Sequence, residues 1–521
     1  METLSTVILL IILSVCSSVQ CQEHLFNTRR TLSILIISNP FPGHLMPPSI
    51  LGEELVRRGH NVTLCTTPMS GSNLAQKLTD NARMKFINAG DGYLTYYDFQ
   101  RVFAAAGIGN STESDRWKVF NIHPDTSIRM GKFLDRDNLT DYDLIVATEK
   151  LAPVLACLSK RWNISGIVLG TTHQHQLHLL PEWSFPPFYA NKRGRIRISD
   201  DMTFSERMRA FLFVEYNRLY SRFYKSRYEF VCSDPVVDYS YMNGYLGVRA
   251  PHIIPTAIGF EYPRTLSPLT HYVGPLLSKQ KKELSSDMRK WLDSKPRAGV
   301  IMISMGSLAH LTREQGKIIV DAISSTNYSV VWSLREQNRD ILEGLAIDSD
   351  RFFLSPWLPQ VAVLNHSAIG LAILHGGMNG VHEAIAYGVP IIVIPFWNDQ
   401  GDVGARLQHS GAGIQILRHH LSTGTILAAI LQIQRGSLDA GLARLQRIFV
   451  RAGGVERAAD LVEHYWEVGY SHLVPSYATY NWSWVQYYNT DVKALLILSV
   501  VLSIIFVNRI VFCSTSKQKH N

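Results

Sequence analysis

Short apolar runs alternate with helix-like segments along the first half of this 521-residue chain. Apolar residues at 34–37 and 62–65 predict two strands, and the helical spacing of apolar residues over 46–58 predicts a helix between them. Further buried strands are predicted at 142–148 and 164–172, each followed by helix-like sequence. Strands that alternate with helices form parallel sheets covered on both faces. The pattern therefore predicts an α/β fold for this half.

The same alternation resumes after a charged, Ser-rich linker at residues 276–286. Strands separated by helices are predicted at 298–309, 328–334, 371–374 and 389–395. We therefore divide the body of the chain into an N-terminal domain, 22–275, and a C-terminal domain, 287–470. Two doubly wound domains place a cleft between two sets of strand carboxyl ends, where ligands bind in such sheets.

Both ends of the chain carry apolar segments. Residues 1–21 combine an uncharged apolar core at Val7–Val15 with small and polar residues, which is typical of a secretory signal peptide. A signal anchor is the alternative, but this apolar core is too short to span a bilayer. Residues 494–513 have the length and composition of a membrane-spanning helix. The sequence thus predicts a lumenal body, a juxtamembrane segment at 471–493 and a single span, as in a type I membrane protein.

The predicted cytosolic tail, 514–521, indicates a location. Lys517 and Lys519 resemble the dilysine signal that returns type I membrane proteins to the endoplasmic reticulum, and the positive-inside tendency agrees with this orientation. We therefore expect the endoplasmic reticulum membrane, with the body of the protein in the lumen. Sequons for lumenal N-glycosylation occur at Asn61, Asn110, Asn138, Asn163, Asn327, Asn365 and Asn481.

Composition narrows the classes of protein and of site. Hydrophobic residues make up 46% of the chain and charged residues 18%, as in globular proteins with sizeable cores. The net charge of +8 is spread along the chain without an aromatic-basic motif, so we expect no nucleic-acid partner. Cys65, Cys157 and Cys232 are the cysteines of the predicted lumenal body. Their odd number and wide spacing imply neither a disulfide framework nor a zinc site, and no metal cluster is visible.

Residues 181–227 interrupt the alternation of strands and helices. This stretch is first rich in Pro and aromatic residues, then basic, then amphipathic. The pattern fits a solvated helix or a segment that rests on the membrane surface, and the sequence does not decide between the two.

The most specific pattern is FLSPWLPQVAVLNHSAIGLAILHGGMNGVHEAIAYGVPIIVIPFWNDQ at 353–400. Its elements W-x-P-Q, H-G-G, a downstream Glu, G-V-P and D-Q together resemble the signature of the UDP-glycosyltransferases. That family consists of inverting sugar transferases with the GT-B architecture, two facing Rossmann-like domains. SMGS (304–307), YVGPL (272–276), MTFSER (202–207) and RRGHNVT (57–63) extend the resemblance over nearly the whole chain. The apolar ends look like those of the animal, membrane-bound branch.

The resemblance implies an enzyme that moves a hexosyl group from a UDP-sugar to a hydroxyl of a small lipophilic acceptor. No cofactor besides the UDP-sugar is implied, and detoxification is the associated role. A different class of answer is a catalytically weak homologue that binds a UDP-sugar or a lipophile. UDP release with a panel of phenols distinguishes the two.

The helix predicted after the strand at 371–374 begins with the features of a diphosphate-binding site. Unpaired N–H groups there can hold phosphate oxygens, Gly376 and Gly377 let the backbone approach, and His375 can donate to an oxygen of the departing UDP. His366 and His382 have no assigned role, and we expect them to be structural. The resemblance adds phosphate-binding residues from this helix and from a neighbouring loop: Met378, Asn379, Gly380, Gly306 and Ser307.

The resemblance also assigns residues that bind the uracil, the ribose and the transferred sugar of the donor. Trp357 offers a flat face on which uracil can stack. Gln360 and Glu383 match the positions that hydrogen-bond the ribose, and a carboxylate suits two adjacent hydroxyls. Asp399 and Gln400 match the pair that hold hydroxyls of the transferred sugar.

Displacement at the anomeric carbon needs a base for the acceptor hydroxyl, and histidine suits this task. His44 follows the first strand and matches the family's catalytic histidine. The family supports this histidine with an Asp at the end of a later strand, where this chain has Thr148 and then Glu149. Because strand side chains alternate in direction, Glu149 can serve only if the strand has ended or bulges. Either Glu149 substitutes, or His44 works without an acid, or the enzyme is weakened.

The donor sugar and the acceptor are less closely specified. Residues 253–265 resemble a vertebrate segment in which an Arg is associated with recognising the glucuronate carboxylate, and Pro255 occupies that place here. We therefore expect UDP-glucose, with UDP-glucuronate as the alternative. Aromatic residues at 91–99 and 181–189 suggest an apolar pocket near the membrane for phenols or sterols. The oligomeric state, a homo-oligomer included, is left open.

Overall fold

A computed structural model describes the parts of the chain that form its two sheets and its C-terminal helix. The described residues are 30–67, 74–90, 129–134, 139–171, 203–205, 208, 212, 250–263, 266–279, 283–306, 309, 311–345, 347–396, 399–473, 485 and 489–517. The described residues up to Val468 form one compact unit, and those from Gly469 onward form a second. The predicted signal peptide and most of 181–227 lie outside the described residues.

The first sheet has seven parallel strands in the order β3-β2-β1-β4-β5-β6-β7. Its strands are β1 (Ser33–Ile37), β2 (Asn61–Thr66), β3 (Lys85–Asn88), β4 (Leu144–Thr148), β5 (Ser165–Leu169), β6 (His252–Ile254) and β7 (Thr270–Tyr272). The described helices around it are α1 (Pro42–Arg57), α2 (Leu74–Ala82) and α3 (Ala152–Trp162). The strands and the helix expected from the apolar pattern are all present, although α1 begins four residues earlier than predicted.

The second sheet has six parallel strands in the order β10-β9-β8-β11-β12-β13. Its strands are β8 (Val300–Ser304), β9 (Ser329–Ser333), β10 (Phe352–Ser355), β11 (Ile369–Leu374), β12 (Ile391–Val393) and β13 (Gly413–Gln415). The helices of this half are α4 (Ser286–Asp293), α5 (Arg313–Ser324), α6 (Gln360–Leu364), α7 (Met378–Ala386), α8 (Gln400–His409), α9 (Thr423–Gln434), α10 (Asp439–Ala452) and α11 (Gly454–Val468).

Both faces of the second sheet are buried. Along β8, Ile301 and Ile303 pack into the core on one face, whereas Val300 and Met302 pack into the core on the other. This alternation follows from the period of two residues in a strand, and a strand buried on both sides can be apolar throughout. The strand candidates of the sequence are therefore core strands of two doubly wound sheets, as expected.

The two halves of the body contact each other at several places. Helix α11, near the end of the second half, packs on α1 of the first. Phe260, which follows the sixth strand of the first sheet, belongs to the core of the second half. Nearby, Arg406 of α8 forms a buried ion pair with Glu261, with 3.2 Å between Nε and Oε2, and lies over the Tyr262 ring. Buried contacts of this kind fix the two sheets in one unit.

The C-terminal unit contains α12 (Thr490–Lys517), which covers the predicted span and continues beyond it. Its residues from Thr490 to Arg509 have a mean hydropathy of 2.2 and are exposed, so by length and composition this helix is a candidate membrane span. Among the described residues it is the one such helix.

One cysteine prediction was incomplete. Cys65 is a buried thiol whose Sγ lies 3.5 Å from Sδ of Met130, as the spacing allowed, but Cys157 is disulfide-bonded. Disulfide formation depends on the distance between two Cα atoms in the fold, which the spacing of cysteines along a chain does not give.

Candidate active site

The carboxyl ends of β1, β4 and β5 carry the predicted base and its neighbours, and those of β8 and β11 carry the predicted phosphate site. These two sets of residues, one from each half of the body, lie against each other. The Asn379 side chain of α7 donates from Nδ2 to the carbonyl of Gly43 at 3.2 Å. Asp399 of the second half lies close enough to His44 and Lys150 of the first for its charge to raise the pKa of both. Residues separated by more than three hundred positions in sequence therefore form one site.

His44 lies in the first turn of α1, directly after β1. This helix contains Pro47 and Pro48, which have no N–H to give to the carbonyls four residues earlier. The carbonyl of His44 accepts instead from Ser38 Oγ at 3.2 Å, and that of Gly43 accepts from Asn379. The prolines therefore leave two backbone acceptors to side chains, one of them in the opposite half of the molecule.

Glu149 follows β4 directly. The strand ends at Thr148, and Glu149 begins a single 3-10 turn, Glu149–Leu151. The condition under which Glu149 could approach the imidazole, that the strand has already ended, is therefore met. Its side chain is buried and lies beside the end of β5, the neighbouring strand.

Thr171 lies between Glu149 and His44. Its hydroxyl donates to both carboxylate oxygens of Glu149, at 3.0 Å to Oε1 and 2.8 Å to Oε2, and its backbone N–H donates to Oε2 at 2.8 Å. The same hydroxyl oxygen is 2.6 Å from Nδ1 of His44. The three side chains thus form a continuous chain of hydrogen bonds.

Burial lowers the pKa of His44 below its ordinary value. Glu149 and Asp399 act in the opposite direction, because a negative charge favours the imidazolium, whereas Lys150 adds to the lowering. Lys150 is itself only partly exposed, and burial lowers its pKa although Glu149 and Asp399 both raise it. The site therefore holds a neutral imidazole beside an acid, with a lysine at the same edge.

His375 lies at the end of β11, and its ring fits between two glycines. A Cβ on Gly377 would come within 2.4 Å of Nε2 of this ring, and one on Gly306 within 2.6 Å of Cε1. Gly376 has a φ of +89°, and a Cβ there would meet Val393 and the carbonyl of Gln400. Close protein neighbours therefore require glycine at these three positions, and the approach of a phosphate would require it as well. Burial lowers the pKa of His375 to about 4, so at neutral pH it can donate one N–H without a positive charge.

Helix α7 begins immediately after these glycines. Its N-cap, Gly377, makes no side-chain capping bond, so the N–H groups of the first turn face the site without a side-chain acceptor from the cap. Such a turn is an anion site, because N–H groups and the helix dipole both favour negative charge. Met378 and Gly380 lie in this turn. Asn379 also lies there, but its amide contacts Gly43.

The predicted nucleoside residues lie on the same side of the second half. Trp357 precedes α6 and is 61% exposed, which is unusual for a tryptophan and leaves its ring available for stacking. Gln360, the first residue of α6, donates from Nε2 to Oε2 of Glu383 at 2.7 Å. The two predicted ribose contacts are therefore joined to each other, which orients both side chains.

Asp399 and Gln400 lie at the start of α8 and are both buried. Oε1 of Gln400 accepts from the backbone N–H of Phe396 at 2.8 Å, which fixes the position of its amide. The charge of Asp399 also raises the pKa of His375, so this carboxylate lies near histidines from both halves. Ser307 lies outside the described residues, whereas Gly306 lies against His375.

The two histidines without an assigned role have structural contacts. His382 is buried, packs edge-on against Phe260, and its Nε2 is 3.2 Å from Thr256 Oγ1. His366 accepts the N–H of Ala368 at Nδ1 and lies 3.1 Å from the carboxylate of Asp293.

Sequence reasoning missed two residues of the site, Thr171 and Lys150. Thr171 follows β5 in the segment LGTT, and β5 is the neighbour of β4. The carboxyl ends of adjacent parallel strands meet at one edge, so a hydroxyl residue there was a usable signal. Lys150 directly follows Glu149, and its place in the site depends on the 3-10 turn, which the sequence did not predict.

Comparison with known proteins agrees with this arrangement. A family described as UDP-glucoronosyl and UDP-glucosyl transferase matches residues 33–519. The chain is 25% identical to UDP-glucuronosyltransferase 2B33 of Macaca mulatta over 89% of each chain. It is also 25% identical to UDP-glucuronosyltransferase 2B7 of Homo sapiens, over 98% of this chain and 96% of that one.

A solved structure shares the fold. A UDP-glucosyltransferase from Polygonum tinctorium matches with a TM-score of 0.59 at 16% identity, over 85% of this chain and 100% of that one. Two parallel sheets that meet at a shared site are the GT-B architecture expected from the sequence. The family match covers both sheets and the C-terminal helix, so the protein is a UDP-glycosyltransferase that belongs to the UDP-glucoronosyl and UDP-glucosyl transferase family.

Proposed function

We propose that this UDP-glycosyltransferase transfers a hexosyl group with inversion to a hydroxyl of a small lipophilic acceptor, with His44 as the general base. The observation that carries this proposal is the hydrogen-bonded position of His44 beside the opposite half of the molecule. Nε2 of the imidazole takes the hydroxyl proton while the acceptor oxygen forms a bond to the anomeric carbon. The bond from that carbon to the phosphate oxygen breaks, and UDP leaves with the electron pair.

The second half of the molecule would hold the donor. The diphosphate lies on the first turn of α7 and accepts from neutral His375, which stabilises the charge that develops on UDP. Uracil stacks on Trp357, and Gln360 with Glu383 binds the ribose. These groups supply the stabilisation of the leaving group, so the proposal includes no metal or other cofactor. Addition of a chelator should leave the rate unchanged.

His44→Ala tests the assignment of the base. Release of UDP with a panel of phenols should fall by at least about 100-fold, because a positioned base contributes roughly 10²–10⁴ to the rate. Binding of UDP should persist, since the donor residues lie in the other half. The exposed His420→Ala is a matched control and should keep the wild-type rate. Equal turnover by H44A and wild type would remove His44 from the mechanism.

For the donor sugar, the relatives favour the alternative over the UDP-glucose expected from Pro255. The proteins compared above are named as glucuronosyltransferases. We therefore propose UDP-glucuronate, whose carboxylate requires a cation that Pro255 does not supply. Lys150 is a candidate for this cation. It lies at the edge shared with His44, close enough to Asp399 to sense its charge, and Asp399 corresponds to a sugar-binding position.

Lys150→Met tests the donor proposal. The ratio of kcat/KM for UDP-glucuronate to that for UDP-glucose should exceed one in the wild type and fall by about 10-fold or more in the variant, because a charge-assisted hydrogen bond contributes about 1.5–3 kcal/mol. The ratio cancels any effect of Lys150 on His44. Lys290→Met removes an exposed lysine from α4 and should leave the ratio unchanged. If the wild type prefers UDP-glucose, the donor expected from Pro255 is correct and the UDP-glucuronate proposal is wrong.

The location also belongs to the proposal. The apolar α12 supports a single span, with the body of the protein in the lumen of the endoplasmic reticulum and the basic tail in the cytosol. The aromatic segments 91–99 and 181–189, proposed to face the acceptor, lie outside the described residues. Protease treatment of sealed microsomes should remove only the tail. Digestion of the body before detergent is added would contradict this orientation.

A further inference from the structure

We propose that Thr171 is a positioning residue of this enzyme, and that its hydroxyl joins His44 to Glu149 in a three-residue relay. In this arrangement the acid acts on the base through a hydroxyl group. The inference rests on the proposed role of His44 as the base. It is carried by the 2.6 Å distance from Thr171 Oγ1 to His44 Nδ1 and by the two bonds from the same hydroxyl to Glu149.

The direction of the hydrogen bonds follows from the number of hydrogens. A carboxylate can only accept, and a threonine hydroxyl has a single hydrogen, which Thr171 donates to Glu149. The oxygen of Thr171 is therefore an acceptor toward His44, so Nδ1 of His44 carries the proton. Nε2 is then the unprotonated nitrogen, which is the form that a general base requires. Thr171 thus selects the tautomer of the imidazole as well as its orientation.

The relay also acts after proton transfer. When Nε2 takes the acceptor proton, the imidazolium keeps its Nδ1–H on the Thr171 oxygen, and the hydroxyl keeps its hydrogen on Glu149. The negative charge of Glu149 favours the imidazolium. No proton needs to leave Glu149 or Thr171 for this stabilisation, so their protonation is the same before and after the transfer.

The position of Thr171 is fixed independently of its side chain. Its backbone N–H donates to Oε2 of Glu149, and the side chain is buried at the end of β5. A substitution that removes only the hydroxyl therefore keeps the backbone contact between the two strand ends. Thr171→Val has the same shape without the hydroxyl, and Thr171→Ser keeps the hydroxyl without the methyl group.

The test compares these two variants in the full-length protein, with UDP release to a phenol as the assay. We expect T171S to stay within about 3-fold of the wild-type kcat. T171V should lose about 10- to 100-fold in kcat with little change in the KM for the UDP-sugar, since it removes part of the contribution of a positioned base. UDP binding by T171V, measured calorimetrically, confirms that the donor half is folded. A T171V enzyme that turns over at the wild-type rate overturns the relay.

A double-mutant cycle with Glu149→Gln separates a relay from a purely structural role. If Glu149 acts through Thr171, E149Q should lower kcat by 10-fold or more in the wild type and by less than about 3-fold in the T171V background. Equal losses in both backgrounds would show that the two residues act independently and would contradict the proposal. Loss of activity in H44A with wild-type activity in T171V would reject the relay alone, whereas an active H44A would reject the proposed base itself.

Discussion

At the scale of single residues, the environment of His44 sets the pH range in which the proposed base is neutral. Burial in the site disfavours the charged imidazolium, and Lys150 acts in the same direction. Glu149 and Asp399 only partly oppose this effect. Because the pKa of His44 is lowered, the neutral form persists to a more acidic pH than for a histidine in water.

The pH dependence of kcat/KM tests this environment. The acidic limb of the profile should lie below pH 6.5, the ordinary pKa of histidine, because the base is active only when neutral. Glu149→Gln removes a charge that raises this pKa, so the limb should move to lower pH while the plateau falls. The measurement is the rate of UDP release between pH 4.5 and 8, with an acceptor that does not titrate in this range.

Glu467→Gln, an exposed change of the same charge at the end of α11, is the control and should leave the limb in place. An acidic limb that moves upward in E149Q would contradict the proposed electrostatic role of Glu149.

Single residues of the site were predictable from the sequence to different degrees. His44 and the motif around His375 were assigned from their positions after predicted strands together with the resemblance to the UDP-glycosyltransferases. Glu149 was predicted only conditionally, since one residue more of strand would have turned its side chain away. Thr171 was missed because its contact depends on which strand neighbours β4, and the order of strands in a sheet is not written in local patterns.

At the scale of elements, the junction of β11 and α7 is where backbone shape matters most. Gly376 provides the positive φ that turns the chain from strand to helix, and it packs against Val393 and the backbone of α8. Gly377 makes room for the His375 ring. The shape of the proposed phosphate site is thus fixed by contacts within the protein.

Gly376→Ala should disturb this junction. A Cβ would lie 2.8 Å from Val393 and 2.9 Å from the carbonyl of Gln400, at a φ of +89° that disfavours side chains. We expect weaker UDP binding and a lower unfolding temperature, measured by calorimetry and thermal denaturation. Gly424→Ala in α9 is the matched control, because its Cβ would meet only Ser422 Oγ at 3.9 Å. A G376A protein with wild-type UDP affinity would contradict the importance of this turn.

Apolar runs predicted the long strands well but not the short ones. Four strands have only three residues each: β6, β7, β12 and β13. Of these, only β12 was predicted. Three residues are too few for a period to be recognised, and such strands form because an existing sheet edge offers hydrogen bonds. The early start of α1 has a local cause, since Pro42 fits the first turn of a helix.

At the scale of the whole molecule, a group of charges joins α11 to α1. Arg58 contacts Glu54 of α1 at 3.0 Å, Asp460 of α11 at 2.8 Å and Glu463 of α11 at 2.9 Å, and only 8% of its side chain is exposed. His60 also contacts Glu463, at 3.0 Å. The last helix of the body is thereby attached to the half that carries the proposed base.

Arg58→Gln should destabilise the body of the protein. Glu54 keeps Arg57 and Lys279 as partners, and Glu463 keeps His60. Because Asp460 is half exposed to water, we expect a loss of only about 1 kcal/mol in the free energy of unfolding. We expect a lower midpoint of thermal unfolding for the full-length protein in detergent. Arg313→Gln removes an exposed ion pair with Glu343 and should change the midpoint little. Equal midpoints for R58Q and wild type would show that Arg58 does not contribute to holding α11 on α1.

The proline pair of α1 has a consequence for the position of the proposed base. Since Pro47 leaves the carbonyl of Gly43 to Asn379, the turn that carries His44 is tethered to the opposite half. Separation of the halves would break this hydrogen bond, so in the proposed mechanism the turn that carries the base is held against the donor half only while Asn379 and Gly43 remain in contact.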